Sequence, residues 1–308
     1  MTNKLTASYL ESQNKDGWWP YVAGHDESVE ATAWCAMACR KNEKISLAAL
    51  KHLIETQNQD GGWSTAPNTG ASDWSTAAAV LTLNVLHNNN NKQIDNSLAQ
   101  KVDFAVEKGC EFLIGLRTDI ITDVSRVGLM ILQGPNFDYP RGWPWEPNTY
   151  HWVEPTSYAI LAIKTSPFAT EKRYKRIVTQ AQKYLLEKTC KPAGWNFGSP
   201  RTLGSEWPAL PSPTSFALIA LQDTDKNAQQ MQDALDYLRN LKGATIESTI
   251  ADSLCVIARN LYGDDMSHAA KGLIERFEQR QGSGENLCAI AAATIAANLA
   301  AEGNPFKF

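Results

Sequence analysis

Apolar residues recur along most of the chain at intervals of three or four residues, which is the spacing of one face of an α-helix. Segments that alternate apolar and polar residues, as strands do, are almost absent. The helical segments are of two kinds that follow each other in turn. One kind is small and apolar, as in 31–38, 77–83 and 289–297, and the other carries most of the charges, as in 171–188 and 229–242. The pattern predicts an all-α protein built from pairs of helices.

The turn inside each pair carries a repeated signature. Residues 13–19 and 57–63 both read Gln-Asn-x-Asp-Gly-x-Trp, and Gly-Trp turns recur at 142–143 and 194–195. The first two signatures are 44 residues apart, a spacing typical of helix-pair repeats. Stacked helix pairs bury their apolar faces against their neighbours, and about six pairs can close into a ring with the small apolar helices inside. The sequence therefore predicts one domain over residues 1–308, an (α/α)6 barrel or toroid.

A second repeat marks the beginnings of the inner helices. Aligning them places Glu30, Glu154, Glu247 and Glu285 at corresponding positions, and in a closed ring these would surround one mouth. One interpretation is that each Glu caps free N–H groups and interacts with the helix dipole. The other is that several acids around an apolar cavity raise one another's pKa, so that one stays protonated and acts as a general acid.

The turns before the inner helices are rich in aromatic residues, and the chain holds ten Trp. Aromatic faces stabilise cations, but buried Trp residues also fix loops onto a fold, and both interpretations remain open. The substrate-binding candidates at these turns are Trp18, Asp73, Trp74, Trp143, Trp145, Tyr150, His151, Trp152, Trp195, Phe197 and Trp207. Trp74 and Trp152 are favoured because they lie at or next to the aligned acid position.

Charge and cysteine content limit the partners and the compartment. The net charge is −4 with no basic stretch, which disfavours a nucleic acid as partner. The six Cys form no Cys-x-x-Cys pair and mostly lie in apolar helical patterns, which indicates reduced thiols. No signal-peptide pattern opens the chain, and the apolar run at 287–301 is typical of a core helix rather than a membrane span. A cytoplasmic protein is expected.

The repeated turns resemble those of a known family. Gln-Asn-x-Asp-Gly-x-Trp, with Gly-Trp-Pro-Trp at 142–145 and Ala-Gly-Trp-Asn-Phe-Gly at 193–198, is similar to the QW-type repeats of squalene-hopene and oxidosqualene cyclases. With the β-subunits of protein prenyltransferases, these enzymes form the prenyltransferase/squalene-oxidase repeat superfamily. The resemblance spans nearly the whole chain and implies the (α/α)6 barrel. It also implies that the repeat residues, such as Trp19 and Trp63, tie helix ends to turns.

The resemblance also suggests a catalytic acid. Squalene-hopene-type cyclases carry Asp-x-Asp-Asp-Thr-Ala at an inner-helix start, and residues 28–33, Ser-Val-Glu-Ala-Thr-Ala, are similar to that motif. Glu30 then falls on the protonating position, and Glu154 on the equivalent position of its own repeat. Ser28 and Ala31 stand where the family has Asp. Because a lone Glu is a weaker acid than an Asp cluster, the expected substrate is an epoxide, a polyene or another easily protonated group.

Neither a metal nor an organic cofactor is predicted. Zinc-dependent prenyltransferases need Asp-x-Cys and a distant His, whereas Asp252 and Cys255 have a different spacing and the His residues have no ligand-like partners. The Asp pair at 264–265 lies in a turn where Asp is an ordinary cap. Residues 281–286 resemble the thioester motif of complement-type barrels, but Ser283 replaces the reactive Cys.

A long insert at 118–141 separates the third outer helix from the turn at 142–145. It is longer than most helix–helix connections, and such loops are often functional. It is predicted to cover the mouth, to meet a membrane surface or a partner chain, or to pack on the barrel rim. Most characterised cyclases of the family use two toroids, so a single toroid points to a partner chain or to another kind of substrate.

The favoured function is a terpenoid-cyclase-like enzyme, an isomerase or lyase of the class II type. Glu30 or Glu154 would protonate an isoprenoid or polyene in the central cavity, and aromatic residues would hold the carbocation. The alternative is a non-catalytic toroid that binds a lipid, a peptide or a partner protein, with the Glu residues only capping helices. An (α/α)6 glycosidase with paired carboxylates across an open polar cleft is a third hypothesis, which the apolar inner helices disfavour.

Overall fold

The computed structural model describes residues 8–67, 69–90, 94–116, 128, 131–132, 140–241, 248–279 and 286–308. A helical segment at 8–12 comes first. The inner helices are α1 (Val29–Ala38), α3 (Ser75–Asn89), α5 (Val153–Thr165), α7 (Pro211–Ala220), α9 (Thr249–Leu261) and α11 (Leu287–Glu302). The outer helices are α2 (Glu43–Glu55), α4 (Asn96–Leu116), α6 (Lys172–Glu187), α8 (Gln229–Asn240) and α10 (Ser267–Gln279).

The inner helices form a closed ring. Each packs against the next, from α1 through α3, α5, α7 and α9 to α11, and α11 packs in turn against α1. Each outer helix from α2 to α10 lies against the inner helix that precedes it. The prediction of an all-α (α/α)6 toroid is therefore confirmed. Two short antiparallel pairs stand in the turns, β1 (Trp143–Pro144) with β2 (His151–Trp152) and β3 (Arg201–Thr202) with β4 (Ser205–Glu206).

The inner helices are apolar around most of their circumference, which suits a position with neighbours on every side. In α1, every residue except Glu30 is buried. The outer helices bury a single stripe and expose their charged side, as α6 does with only six of its sixteen residues buried. This difference in composition decides which helix of each pair lies inside. A polar side chain that remains on an inner helix, such as Glu30, is consequently conspicuous.

Four turns are fixed to the following inner helix by one repeated contact, which we call the Trp–Thr bridge. The hydroxyl of a Thr near the helix start accepts the backbone N–H of the turn Trp at 2.8–3.0 Å. The indole N–H of the same Trp donates to a carbonyl near the end of the preceding outer helix at 2.6–2.8 Å. The bridges are Trp19–Thr32, Trp63–Thr76, Trp143–Thr156 and Trp195–Thr214. All four indoles are buried.

The start of an inner helix is also bound to the turn of the following pair. The links run from a backbone N–H to a backbone carbonyl: Val29 to Thr65 at 2.9 Å, Trp74 to Trp145 at 3.4 Å, Val153 to Phe197 at 2.9 Å and Leu287 to Tyr21 at 2.7 Å. Since Leu287 begins the last inner helix and Tyr21 lies in the first turn, the last of these links joins the two ends of the ring. All inner helices begin at the same end of the barrel, and we call that end the mouth.

The opposite end of the barrel is crossed by residues 303–308. Phe306 is fully buried there, and its ring lies 5.5 Å from that of Trp34 on α1, measured between centroids. Gln222, just after α7, donates through Nε2 to the carbonyl of Phe306 at 2.8 Å. The segment therefore closes the end of the barrel at which the inner helices finish.

No helix within the described ranges is long and apolar enough to cross a membrane. The insert predicted at 118–141 lies almost wholly outside the described residues, as do Glu247 and Glu285. The roles predicted for the insert, as a cover of the mouth or a contact surface, therefore remain predictions.

Candidate active site

One position of the inner helix brings the candidate acids together at the mouth. It is the second residue of the helix, two residues before the Thr of the Trp–Thr bridge. Glu30 occupies it in α1, Glu154 in α5 and Ser212 in α7. Before α3, Trp74 lies two residues ahead of the bridge residue Thr76 and so takes the corresponding place. Two carboxylic acids therefore share one ring of positions with an indole and a hydroxyl group.

The described helix starts change the predicted alignment for the last two pairs. Helix α9 begins after Ser248, whose side chain accepts the N–H of Ala251 at 3.4 Å. Ser28 caps Ala31 in the same way at 3.3 Å, so the residue that corresponds to Glu30 is Ile250 and not Glu247. In α11, which begins at Leu287, the corresponding residue is Cys288 and not Glu285. Among the residues that the structure describes, Glu30 and Glu154 are the acids at this position, whereas Glu247 and Glu285 lie outside the described ranges.

Glu30 is held through both of its oxygens by tyrosine hydroxyls. Tyr21 donates to Oε2 at 2.5 Å, and Tyr158 donates to Oε1 at 3.4 Å. Trp34 in turn donates its indole N–H to the hydroxyl of Tyr158 at 2.8 Å. Burial raises the pKa of Glu30, while the two tyrosine hydrogen bonds act against this rise. The carboxyl group is therefore fixed in place and is easier to protonate than a Glu in water.

Glu154 is half-buried and has a different set of neighbours. Ser212 donates to its Oε1 at 3.0 Å, and this is the carboxyl group's only hydrogen bond among the residues described. Burial and, to a smaller extent, the charge of Glu30 raise the pKa of Glu154 and the hydrogen bond from Ser212 lowers it, which together place it at about 7. The carboxyl group of Glu154 therefore holds a proton more readily near neutral pH than an ordinary Glu does. A group of this kind can give its proton to a bound substrate.

A continuous series of aromatic rings runs from these acids to the far end of the barrel, and we call it the aromatic column. Its members are Trp145, Trp74, Tyr158, Phe216, Trp34 and Phe306. Successive ring centroids are 4.7, 5.5, 4.9, 6.4 and 5.5 Å apart. Such distances are those of interacting aromatic pairs. The column thus gives the barrel axis a surface suited to an apolar chain or a cation.

Helical geometry explains how the column meets the acids. Residues four apart on a helix lie one above the other on the same face. Trp34 follows Glu30 by four, Tyr158 follows Glu154 by four, and Phe216 follows Ser212 by four. Each polar residue at the mouth is therefore followed, one turn deeper, by an aromatic ring.

Four of the predicted substrate-binding residues lie at or near this site. Trp74 and Trp145 belong to the aromatic column, with their rings edge to face at 4.7 Å. Asp73 is buried and caps its own helix start, because it accepts the N–H of Ser75 at 2.7 Å and the hydroxyl of Thr65 at 2.8 Å. Trp152 immediately precedes α5, and its ring lies so close to Gly198 that a Cβ on Gly198 would come within 2.9 Å of it. Only the first two contact the column.

The remaining candidates serve the turns or face solvent. Trp143 and Trp195 form Trp–Thr bridges through both their backbone N–H and their indole N–H. Trp18 lies under the ammonium group of Lys15, and the ring of His151 packs edge to face on Tyr184. Tyr150, Phe197 and Trp207 are 71%, 47% and 53% exposed. These residues are not brought together with the two acids.

Six contributors to the site were absent from the sequence-based candidates. They are Tyr21, Trp34, Tyr158, Ser212, Phe216 and Phe306. The sequence held a signal for four of them. Ser212 stands at the aligned position, and Trp34, Tyr158 and Phe216 each follow an aligned position by four residues. Tyr21 lies two residues after the bridge residue Trp19, and Trp145 stands in the same relation to Trp143. This turn position also places a side chain at the mouth.

Comparison with known proteins supports the fold and gives one short sequence match. No protein-family model matches the sequence. Over 115 residues the chain is 29% identical to the ent-kaur-16-ene synthase of Phaeosphaeria sp. (strain L487), a stretch that makes up 35% of this chain and 12% of that protein. The match thus spans only about an eighth of the length of that synthase.

Several solved structures share the fold over nearly the whole chain. The type II terpene cyclase MstE from Scytonema, in complex with its substrate geranylgeranyl dihydroxybenzoate, gives a TM-score of 0.57 at 14% identity, over 99% of this chain and 97% of that one. An α-amylase from Clostridium perfringens gives a TM-score of 0.66 at 12% sequence identity, over 96% of this chain and 97% of that one. A protein from Actinoplanes gives a TM-score of 0.60 at 15% sequence identity, over 97% of this chain and 98% of that one. At these identities the likeness concerns the fold alone, and the predicted resemblance to terpene cyclases is confirmed at that level.

Proposed function

We propose that the protein is a terpenoid-cyclase-like enzyme of the class II type, which protonates an isoprenoid or polyene and lets it cyclise or isomerise. One observation carries this proposal. Glu154, a carboxylic acid with a pKa of about 7, shares the mouth with a second acid, Glu30, above a continuous column of aromatic rings. A proton donor next to an apolar, cation-stabilising surface is what a proton-initiated cyclisation requires.

Glu154 is the proposed proton donor. Ser212 holds its Oε1, which leaves Oε2 without a hydrogen bond from any described residue and therefore suited to deliver a proton to the substrate. Glu30 differs because Tyr21 and Tyr158 occupy both of its oxygens. Glu30 then acts as the second acid of the pair, whose charge raises the pKa of the first.

The reaction needs no other reactant. The proton of Glu154 adds to a carbon–carbon double bond or an epoxide oxygen, and a carbocation forms on the substrate. The π electrons of the next double bond attack that cation and form the new carbon–carbon bond. A final proton loss, to water or to the Glu154 carboxylate, gives an isomer of the substrate. Meanwhile the faces of Trp74, Tyr158 and Phe216 stabilise the positive charge.

The comparisons support this proposal in two ways. The match to MstE covers 97% of that chain, so one toroid of this size is enough for a type II terpene cyclase. The short sequence match is to another enzyme of terpenoid chemistry. The α-amylase shares the fold with a higher TM-score, 0.66 against 0.57 for MstE, but fold alone does not transfer function. The aromatic column beneath the acids suits an apolar chain better than a polar sugar.

The rim of the barrel offers a route for such a substrate. Tyr150, Phe197, Leu203 and Trp207 are large apolar residues that are exposed in the turns of the third and fourth pairs. We assign to this rim the contact with a membrane surface or a partner chain from which an apolar substrate reaches the mouth. Contiguous exposed apolar patches mark protein or membrane interaction sites, and these four residues would serve in this way if they act together.

The test is a product screen in heavy water. Linear isoprenoids, their diphosphates and their epoxides are incubated with the protein in D2O, and products are identified by mass spectrometry. From a substrate without an epoxide we expect an isomeric product that contains one carbon-bound deuterium, because the initiating proton comes from an exchangeable carboxyl group and adds to a double bond. Glu154→Gln should abolish it, whereas Glu55→Gln, at an exposed acid of α2, should leave it unchanged.

Two results would count against the proposal. For a substrate without an epoxide, a product that lacks carbon-bound deuterium would exclude initiation by protonation of a double bond. If no compound is converted, and Glu154→Gln and Glu30→Gln both lower the melting temperature, the two acids are helix caps, and the non-catalytic binding toroid becomes the better hypothesis.

A further inference from the structure

The far end of the barrel is closed by a segment that polar contacts hold in place. Gln222 donates to the backbone carbonyl of Phe306 at 2.8 Å and accepts the backbone N–H of Phe308 at 3.4 Å. Arg40 donates to the carbonyl of Gly303 at 2.8 Å. These bonds reach the backbone of residues 303–308 and do not involve the ring of Phe306. The segment is therefore expected to keep its course when that ring is removed.

The Phe306 ring is the last member of the aromatic column. It is fully buried and packs on Trp34, whose own ring also packs on Phe216 with centroids 6.4 Å apart. Trp34 is joined to the acids, because its indole N–H binds Tyr158 and Tyr158 binds Glu30. The apolar axis that begins at the acids thus ends at Phe306.

We propose that Phe306 sets the length of the isoprenoid chain that the barrel accepts. The chemical class of the ligand rests on the proposed function. A phenyl ring has six carbons and an isoprene unit has five, so the two are close in size. Removing a buried ring leaves a cavity, since the surrounding residues relax only in part. Here the cavity adjoins Trp34, at the deep end of the column, where a chain one isoprene unit longer would place its end.

The test measures binding, so it does not depend on turnover. Wild type, Phe306→Ala and Phe306→Leu are titrated with geraniol, farnesol and geranylgeraniol, and quenching of tryptophan fluorescence gives the affinities. We expect Phe306→Ala to prefer an alcohol one isoprene unit longer than wild type does, with the affinity ratio of the two alcohols changed by about tenfold or more. Phe306→Leu should give a smaller change in the same direction.

A matched control is available outside the column. Phe168 packs on Tyr174 at the outer helices, with ring centroids 6.1 Å apart, so Phe168→Ala removes the same ring without reaching the axis. It should leave the order of affinities unchanged. Circular dichroism of each variant shows whether the fold is kept. If Phe306→Ala does not fold, Phe306→Leu takes its place in the comparison with wild type.

The two proposals fail in different ways. The same order of affinities in folded Phe306→Ala and wild type would overturn the length assignment even if the enzyme converts a substrate. A shifted order without any turnover would support the assignment and count against the cyclase. Absence of binding by every alcohol would overturn the assignment as well.

Discussion

The hydroxyl of Tyr158 lies 3.4 Å from a carboxyl oxygen of Glu30, although the two residues are 128 positions apart in the chain. Tyr158 follows Glu154 by one turn of α5, and Trp34, which follows Glu30 by one turn of α1, donates to the same hydroxyl at 2.8 Å. Helix α5 therefore carries both Glu154 and the tyrosine that donates to Glu30, and α1 carries both Glu30 and the indole that donates to that tyrosine. The two acids are linked in this way through Tyr158, and the charge of Glu30 also raises the pKa of Glu154.

Removing the Tyr158 hydroxyl should change the titration of Glu30. In Tyr158→Phe, Glu30 loses a donor that favours its charged form, so its pKa should rise further. The indole N–H of Trp34 also loses its acceptor, at a cost of about 1–3 kcal/mol. Infrared spectra of the protonated carboxyl band against pH would show the first effect. Tyr237→Phe, which loses a hydrogen bond to Ala209 away from the acids, is the control and should leave the band unchanged.

The raised pKa of Glu154 should make stability depend on pH. Its pKa is about 7 in the folded protein and 4.5 for an ordinary Glu, so the folded state binds more protons between these values. The free energy of unfolding should therefore fall as pH rises from about 4.5 to about 7, by at most about 3 kcal/mol. Glu154→Gln should lose this part of the dependence. Urea unfolding of both proteins between about pH 5 and pH 8 measures it, and parallel curves would contradict the assignment.

The Trp–Thr bridge should be worth a measurable free energy. In Thr156→Val, the buried backbone N–H of Trp143 loses its acceptor, which should lower the free energy of unfolding by about 1–3 kcal/mol. Thr179→Val on the exposed side of α6 is the control, because its hydroxyl bonds only its own helix at Lys175. Chemical denaturation compares the two. Equal effects would mean that the bridge adds nothing to stability.

Gly142 should not tolerate a side chain. A Cβ at this position would contact the bridge hydroxyl of Thr156 and come within 2.7 Å of the Tyr184 ring. Gly142→Ala is therefore expected to destabilise the fold by about 1–3 kcal/mol or more through overpacking. Gly115→Ala, near the end of α4 with nothing within 4 Å of its Cβ, should be neutral or slightly stabilising. Thermal melts of the two variants provide the comparison.

The fold could be predicted because it repeats. The helical spacing of apolar residues and the recurring Gln-Asn-x-Asp-Gly-x-Trp turn indicated six helix pairs, and the small apolar helices indeed lie inside. Closure of the ring through α11 and α1 followed from the number of pairs. The one-domain boundary and the cytoplasmic location stay predictions.

The site could be predicted only at its rim. Glu30, Glu154 and Glu247 share a Glu-x-Thr pattern that the sequence displays, and Glu285 was aligned with them without the Thr. The caps of α9 and α11 show that those helices begin later than that alignment assumed. Trp143 and Trp195 were candidates because of their type, whereas hydrogen bonds decide their role. The column was missed because its rings meet only across different helices.

The link between Leu287 and Tyr21 has a consequence for synthesis on the ribosome. The chain is made from its first residue onward, yet the partner that completes the first turn is the beginning of the last helix. Until residues 287–302 emerge, α1 has no neighbour on one side and its apolar face stays open. The nascent toroid therefore remains an open arc until that last inner helix has been made, and a chain stopped before residue 287 would expose an apolar edge to other proteins and to chaperones.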